Sequence, residues 1–129
     1  MLANSIDSVE KNLCYLSKTD KKYLSDYWPG PYTFLIKYKE NIPNHLKNDT
    51  NKLAIRVSNH LPLKALFKTF NGFIVSTSAN ISGKKNINDA HNIIDFFEYD
   101  DLAYYDESLG ENNSASKIID LESKAIIRA

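Results

Sequence analysis

Patterns typical of short strands alternate with helical patterns through the middle of the chain, and this alternation most constrains its fold. Residues 53–57 form an apolar strand pattern, residues 59–70 place leucine and phenylalanine at helical spacing, and residues 73–76 form a short apolar run expected to be a central, buried strand. Further strand patterns follow at 102–105, 117–121 and 125–128. This order predicts an α/β fold built on one twisted mixed sheet.

The flanking segments add helices and one more strand. Periodic apolar residues predict a helix over 5–16, and Thr19 is placed to cap a second short helix. A strand pattern over 32–38 follows, and then a turn-rich loop over 40–51. A last helix is expected over 88–97.

The composition excludes several classes of protein. A chain of 129 residues is long enough for one domain with a real core. Its single cysteine, Cys14, excludes an intramolecular disulfide and a cysteine-based zinc site. No apolar run approaches the roughly 20 residues of a membrane span. The sequence therefore favours a cytoplasmic protein with no membrane partner.

The formal charge sums to zero, but it is unevenly distributed. Sixteen basic residues balance sixteen acidic ones, with a net charge of +2 over 1–52, +4 over 53–92 and −6 over 93–129. A basic middle segment is suited to an anionic ligand or a nucleic acid. Charge alone nevertheless favours the simpler interpretation, a solvated lysine-rich surface.

Arg56, one of only two arginines, lies within an otherwise apolar strand pattern. A charge in such surroundings needs a partner or an anionic ligand, and a guanidinium can hold a carboxylate or phosphate through two hydrogen bonds. An arginine at a strand end that reaches solvent is an equally good interpretation. Residues 27–33 read YWPGPYT, and their two prolines around a glycine predict a rigid turn, most simply a structural corner.

A polar loop with the sequence TSAN follows the apolar run at 73–76. Small hydroxyl and amide side chains at the end of a buried strand let backbone N–H groups approach a nucleotide, and ligands of α/β proteins bind at such strand ends. A helix cap or a Ser/Thr turn is the common structural alternative.

Taken together, four segments resemble the YrdC/TsaC family of threonylcarbamoyl-AMP synthases. They are 27–33 (YWPGPYT), 53–60 (LAIRVSNH), 75–83 (VSTSANISG) and 116–120 (SKIID), the last with the closing Ile127-Arg128. Their order and separations also match, so the chain is identified as a member of this family. The resemblance implies a mixed sheet of the YrdC-like type, in which residues 1–129 correspond to about the C-terminal two thirds of the family's domain, without its N-terminal strands.

The resemblance also implies a reaction. The family converts L-threonine, bicarbonate or CO2, and ATP into threonylcarbamoyl-adenylate and diphosphate. A partner from the threonylcarbamoyl-transferase machinery then modifies an adenosine beside the tRNA anticodon. Mg²⁺ is expected on the triphosphate, with no tightly bound cofactor and no metal site of the protein's own. The family has also been linked to double-stranded RNA binding.

Individual roles follow from position within the matched segments. Arg56 would hold the threonine carboxylate, and threonine would also contact Ser76 and Ser116. The residues that would contact ATP are Ser78, Asn80, Asn86 and Arg128. Asn86 falls where the family often has a serine. Lys52 falls where many members have a threonine, and no role is carried over to it.

One family motif is missing from this sequence. Family members carry a Lys-x-Arg motif for ATP ahead of the segments that match here, and this chain contains no such sequence. We therefore expect the chain by itself to lack threonine-dependent exchange between ATP and diphosphate. Two interpretations follow: a synthase whose start is mis-set or whose gene is split, or an inactive family member that acts, if at all, as an RNA-binding module. A carbamoyl-transfer relative is disfavoured because cysteine-rich fingers are absent.

Overall fold

A six-stranded mixed sheet forms the framework of the protein. The computed structural model describes residues 1–70, 72–80, 83–84, 87, 89–97, 103, 105, 107 and 114–129. The strands are β1 (Leu2–Ala3), β2 (Tyr32–Lys37), β3 (Lys52–Val57), β4 (Phe73–Ile74), β5 (Lys117–Asp120) and β6 (Ile126–Arg128). The helices are α1 (Ile6–Glu10), α2 (Lys18–Ser25), α3 (Leu61–Thr69) and α4 (Ala90–Phe97), with a 3₁₀ turn at Asn44–Leu46.

The strands lie in the order β4-β1-β3-β2-β5-β6. β1 runs parallel to β3, and β2 runs parallel to β5, whereas the β1–β4, β2–β3 and β5–β6 pairs are antiparallel. These directions bring the start of β2, the start of β5 and the ends of β3 and β6 to one end of the sheet. The mixed α/β sheet predicted from the sequence is confirmed.

The two faces of the sheet differ because side chains alternate along each strand. The core face carries fully buried side chains, among them Phe34 on β2 and Ile55 on β3, which pair in register. The side chains of Thr33, Arg56 and Asp120 lie on the opposite face, which we call the outer face. The core face is covered by apolar residues of the first helices, including Val9 and Leu24.

The first helix is shorter than predicted. A reciprocal capping box between Ser5 and Ser8 starts α1, but the helix ends at Glu10. Beyond it the chain pairs with the end of β2: Leu13 forms a bridge with Tyr38, and the Cys14 N–H donates to the Lys37 carbonyl at 3.0 Å. The predicted helix over 5–16 is therefore wrong beyond residue 10, because strand-like pairing takes up the backbone groups.

Two further predictions need correction. The N-cap of α2 is Ser17 rather than Thr19, since the Ser17 hydroxyl accepts from the Asp20 N–H at 3.0 Å. The run over 73–76, predicted to be a central buried strand, contributes only the two-residue β4 at the edge of the sheet, and Val75 is 60% exposed. Apolar composition alone did not distinguish a central strand from an edge strand.

Most of the remaining predicted helices and strands are present in the structure. The strands expected over 32–38, 53–57, 117–121 and 125–128 and the helices expected over 59–70 and 88–97 are confirmed with small shifts in their ends. The strand predicted over 102–105 includes residues outside the described part of the chain. The chain divides into two units, Met1–Val75 with Gly110–Ala129, and Ser76–Leu109, so the sheet belongs to the first unit and α4 to the second.

Candidate functional site

Arg56 lies near the end of β3, on the outer face, and is half-buried. Its Nε–H donates to the Gly30 carbonyl at 3.0 Å, and its backbone N–H donates to the Met1 carbonyl at 2.9 Å. No acidic side chain in the described part of the chain forms an ion pair with it. Burial lowers the pKa of the Arg56 guanidinium, which nevertheless stays cationic at neutral pH. The group is therefore suited to an anionic ligand.

The turn before β2 holds Arg56 in this orientation. The Trp28 indole N–H donates to the Tyr32 carbonyl at 2.7 Å, and the Gly30 N–H donates to the Val57 carbonyl at 2.9 Å. The peptide bond between Trp28 and Pro29 is cis. A Cβ at Gly30 would lie 2.5 Å from the Tyr27 carbonyl oxygen, so this position requires glycine. The segment that the sequence suggested as a corner thus also supports a site residue.

Ser116 forms hydrogen bonds with two side chains, the Thr33 hydroxyl and the Arg128 guanidinium. Its hydroxyl lies 2.7 Å from the Thr33 hydroxyl oxygen, and Thr33 is only 9% exposed. The Arg128 guanidinium donates to the Ser116 carbonyl from Nε at 3.1 Å and from Nη2 at 2.6 Å. Nη2 also lies 3.4 Å from the Ser116 hydroxyl oxygen. The structure therefore links three side chains that are far apart in sequence.

Thr33 lies between these residues and Arg56. Phe34, the next residue on β2, pairs with Ile55, which immediately precedes Arg56 on β3. On its other side, Thr33 pairs with Ile118 on β5, two residues beyond Ser116. Three residues predicted from the sequence, Arg56, Ser116 and Arg128, are thus brought to the same end of the sheet, and Thr33 joins them.

The other predicted residues belong to the second unit. The Ser78 hydroxyl donates to the Asn80 side-chain oxygen, and the Asn80 amide N–H groups donate to the Lys84 carbonyl at 2.8 Å. The Ile87 N–H donates to the Ala79 carbonyl at 2.9 Å, which closes the loop. Ser76 and Ser78 are exposed. Asn86 lies outside the described residues.

A separate charged cluster occupies the opposite end of the sheet. The Lys52 ammonium lies 2.5 Å from Asp120 Oδ2 and 3.6 Å from Glu122, which also pairs with Lys37. The Lys52 hydrogen bond, together with N–H and hydroxyl groups of Ser123, lowers the pKa of Asp120 to about 2. A cavity of about 270 Å³ lies beside this cluster. Because its lysines are paired with carboxylates, we do not assign an anion site there.

Sequence reasoning missed Thr33 and the carbonyl of Gly30. Both lie in the 27–33 segment that was singled out, but neither position was given a role there. The partner of Thr33 is 83 residues away along the chain, and Gly30 acts through its backbone. Neither contact leaves a spacing pattern in the sequence, so both become visible only in the folded structure.

The whole chain matches one family of proteins. The Sua5/YciO/YrdC family model, described as telomere recombination, matches residues 1–129. The chain belongs to the Sua5/YciO/YrdC family. Threonylcarbamoyl-AMP synthases of this type from Chromobacterium violaceum and Buchnera aphidicola are 32% and 33% identical to it over 99% of the chain. The chain spans 66% and 74% of the length of these two proteins.

Solved structures of the family share the fold. The crystal structure of E. coli YciO matches 98% of the chain and 63% of its own chain, with a TM-score of 0.79 and 21% identity. P. abyssi Sua5 complexed with L-threonine matches 92% of the chain and 35% of its own, with a TM-score of 0.78 and 23% identity. No helix among the described residues is long and apolar enough to cross a bilayer.

Proposed function

We propose that this chain provides the threonine-binding part of a threonylcarbamoyl-AMP synthase. The observation that carries the proposal is the placement of Arg56, Ser116 and Arg128 at one end of the sheet, where Arg56 has no acidic partner in the described residues. Relatives named as synthases, at 32% to 34% identity, support this function over the alternative of an RNA-binding module.

L-Threonine would be held by its carboxylate. The Nε–H of Arg56 donates to the Gly30 carbonyl. The two terminal nitrogens of the guanidinium would bind the carboxylate. Ser116 would add a hydroxyl contact, oriented by Thr33. The resemblance implies that Ser76 would contribute through its backbone. An L-threonine complex is known for P. abyssi Sua5, which shares this fold.

ATP would be the second substrate. Arg128 would contact its phosphates, and the loop with Ser78, Asn80 and Asn86 would contact the nucleotide. The described residues contain no group of three or more His, Cys, Asp or Glu side chains able to hold a metal ion. We propose that Mg²⁺ enters on the triphosphate, because this ion keeps several of its waters and binds readily to substrate phosphates.

The chemistry requires mainly positioning and charge neutralisation. The threonine amine would form a bond to the carbon of CO2, supplied as such or from bicarbonate, and lose a proton to give a carbamate. A carbamate oxygen would then bond to the α-phosphorus of ATP as the bond to the β-phosphate oxygen breaks and diphosphate leaves. A transferase would pass the threonylcarbamoyl group to tRNA, which suggests a cytoplasmic location.

Calorimetric titration of the 129-residue chain tests the proposal. We expect L-threonine to bind and L-threoninol, which lacks the carboxylate, to bind at least tenfold more weakly. The Lys64→Ala variant is a matched control because it removes an exposed positive charge on α3 that forms no hydrogen bond or ion pair with Arg56, Ser116 or Arg128. It should bind L-threonine like the original chain. Equal affinity for L-threonine and L-threoninol would contradict the proposal.

A further inference from the structure

We infer that Thr33 is a positioning residue that orients Ser116 and, through Ser116, the guanidinium of Arg128. The inference rests on the proposed function for the identity of the ligand, L-threonine. Neither composition nor the resemblance assigned Thr33 any role.

The hydroxyl pair has the geometry of a strong hydrogen bond. The Thr33 and Ser116 oxygens are 2.7 Å apart, the preferred separation for two hydroxyl groups. Thr33 is buried in β2, and its pairing with Ile118 on β5, together with the pairing of the adjacent Phe34 with β3, fixes its backbone. The Lys117 N–H donates to the Pro31 carbonyl at 3.1 Å, so the start of β5 is also fixed beside it. A rigidly held hydroxyl therefore faces Ser116, the residue immediately before β5.

Ser116 transmits this constraint to Arg128. The same serine offers its carbonyl to two nitrogens of Arg128 and its hydroxyl to one of them. Arg128 is exposed, so holding its long side chain in one geometry costs conformational entropy. Without the Thr33 hydroxyl, the Ser116 side chain is free to occupy other staggered rotamers. The Ser116 hydroxyl would then no longer be oriented toward threonine. Arg128 would also lose its hydrogen bond to that hydroxyl.

The Thr33→Val variant removes the hydroxyl and keeps the branched shape of the side chain. Thr33→Ser keeps the hydroxyl and removes the methyl group, so it should rescue any effect that depends on the hydrogen bond. Thr69→Val is the matched control, because Thr69 is an exposed residue of α3 whose hydroxyl donates to the Leu66 carbonyl within the same helix. Together these variants distinguish an effect of the lost hydrogen bond from an effect of altered side-chain packing.

Two measurements on the 129-residue chain test the inference. Selective ¹⁵N-arginine labelling gives one Nε–H signal for each of the two arginines, and Arg128→Lys identifies the signal of Arg128. We expect Thr33→Val to shift the Arg128 signal and leave the Arg56 signal in place. Calorimetric titration should show L-threonine binding weakened about tenfold in Thr33→Val. Thr33→Ser and Thr69→Val should match the original chain in both measurements.

The outcomes can be told apart. An unchanged Arg128 signal in Thr33→Val, or the same loss of L-threonine affinity in Thr33→Val and Thr33→Ser, would overturn the positioning role. Failure of the original chain to bind L-threonine would overturn the proposed function instead. In that case the arginine signals would still decide whether Thr33 positions Ser116 and Arg128.

Discussion

The Nε–H of Arg56 donates to the carbonyl oxygen of Gly30 at 3.0 Å, and this contact joins the end of β3 to the turn that precedes β2. It explains why an arginine can stand in an apolar strand. The glycine itself is required because a Cβ at position 30 would lie 2.5 Å from the Tyr27 carbonyl oxygen. The turn fixes the direction of the guanidinium, whose terminal nitrogens form no hydrogen bond with the described residues. The two segments therefore act as one unit of the candidate site.

Replacing Arg56 should weaken the binding of L-threonine much more than the binding of ATP. We expect Arg56→Ala to weaken L-threonine binding by more than tenfold, because a charge-assisted pair of hydrogen bonds to the carboxylate is lost. ATP binding should change by less than threefold, since its proposed contacts lie elsewhere. Calorimetric titration with each ligand checks this, with Lys64→Ala as the control. Equal losses for both ligands would argue against a carboxylate role.

Adding a single methyl group at Gly30 should disturb both stability and binding. The new Cβ would lie 2.5 Å from the Tyr27 carbonyl oxygen, so the turn that supports Arg56 must shift. Gly30→Ala should lower the free energy of unfolding by about 1–3 kcal/mol and weaken L-threonine binding. Gly72→Ala is the control, because its Cβ would meet only the Phe70 ring, at 3.2 Å. Urea unfolding that shows the same stability for both variants would disprove this explanation.

The ion pair between Lys52 and Asp120 should make stability depend on acidic pH. Because the pKa of Asp120 is lowered to about 2 in the folded state, its contribution is present above the ordinary carboxylate pKa and is lost as the pH falls toward 2. We expect Asp120→Asn to cost about 1–3 kcal/mol at pH 5 and much less at pH 2. Urea unfolding at both pH values measures the difference. A gap between the two proteins that does not narrow on acidification would contradict the assignment.

The 129-residue chain should bind L-threonine but should not catalyse the reaction with ATP. It contains no Lys-x-Arg sequence, to which the resemblance assigns part of the ATP contact. We expect L-threonine to bind, but no threonine-dependent incorporation of labelled diphosphate into ATP. The Chromobacterium violaceum synthase, assayed in parallel, is the positive control. Robust exchange by this chain would show that the motif is dispensable.

Local patterns predicted most of the strands and helices, but they did not reveal how far each one extends or where it lies in the sheet. α1 ends early because Leu13 pairs with Tyr38, a contact between residues 25 apart. β4 lies at the sheet edge because, among the described residues, β1 is the one strand that pairs with it. Both errors have one physical origin, since pairing between distant segments overrides local preference.

The candidate site was predicted where side-chain chemistry is visible in the sequence. Arg56, Ser116 and Arg128 were identified by the matched segments, and the structure brings them to one end of the sheet. Thr33 was missed because its role depends on the parallel pairing of β2 with β5, which no spacing records. The relation of Ser76, Ser78 and Asn80 to these residues stays a prediction.

The most direct test is product formation by a chimera. It would join the part of the Chromobacterium violaceum synthase that this chain does not match to the 129 residues described here. We predict that the folded chimera converts L-threonine, bicarbonate and ATP into threonylcarbamoyl-adenylate, detected by mass spectrometry, and that Arg56→Ala abolishes the product. A folded chimera that binds L-threonine and ATP but forms no product, or one whose product survives Arg56→Ala, would contradict the proposed function.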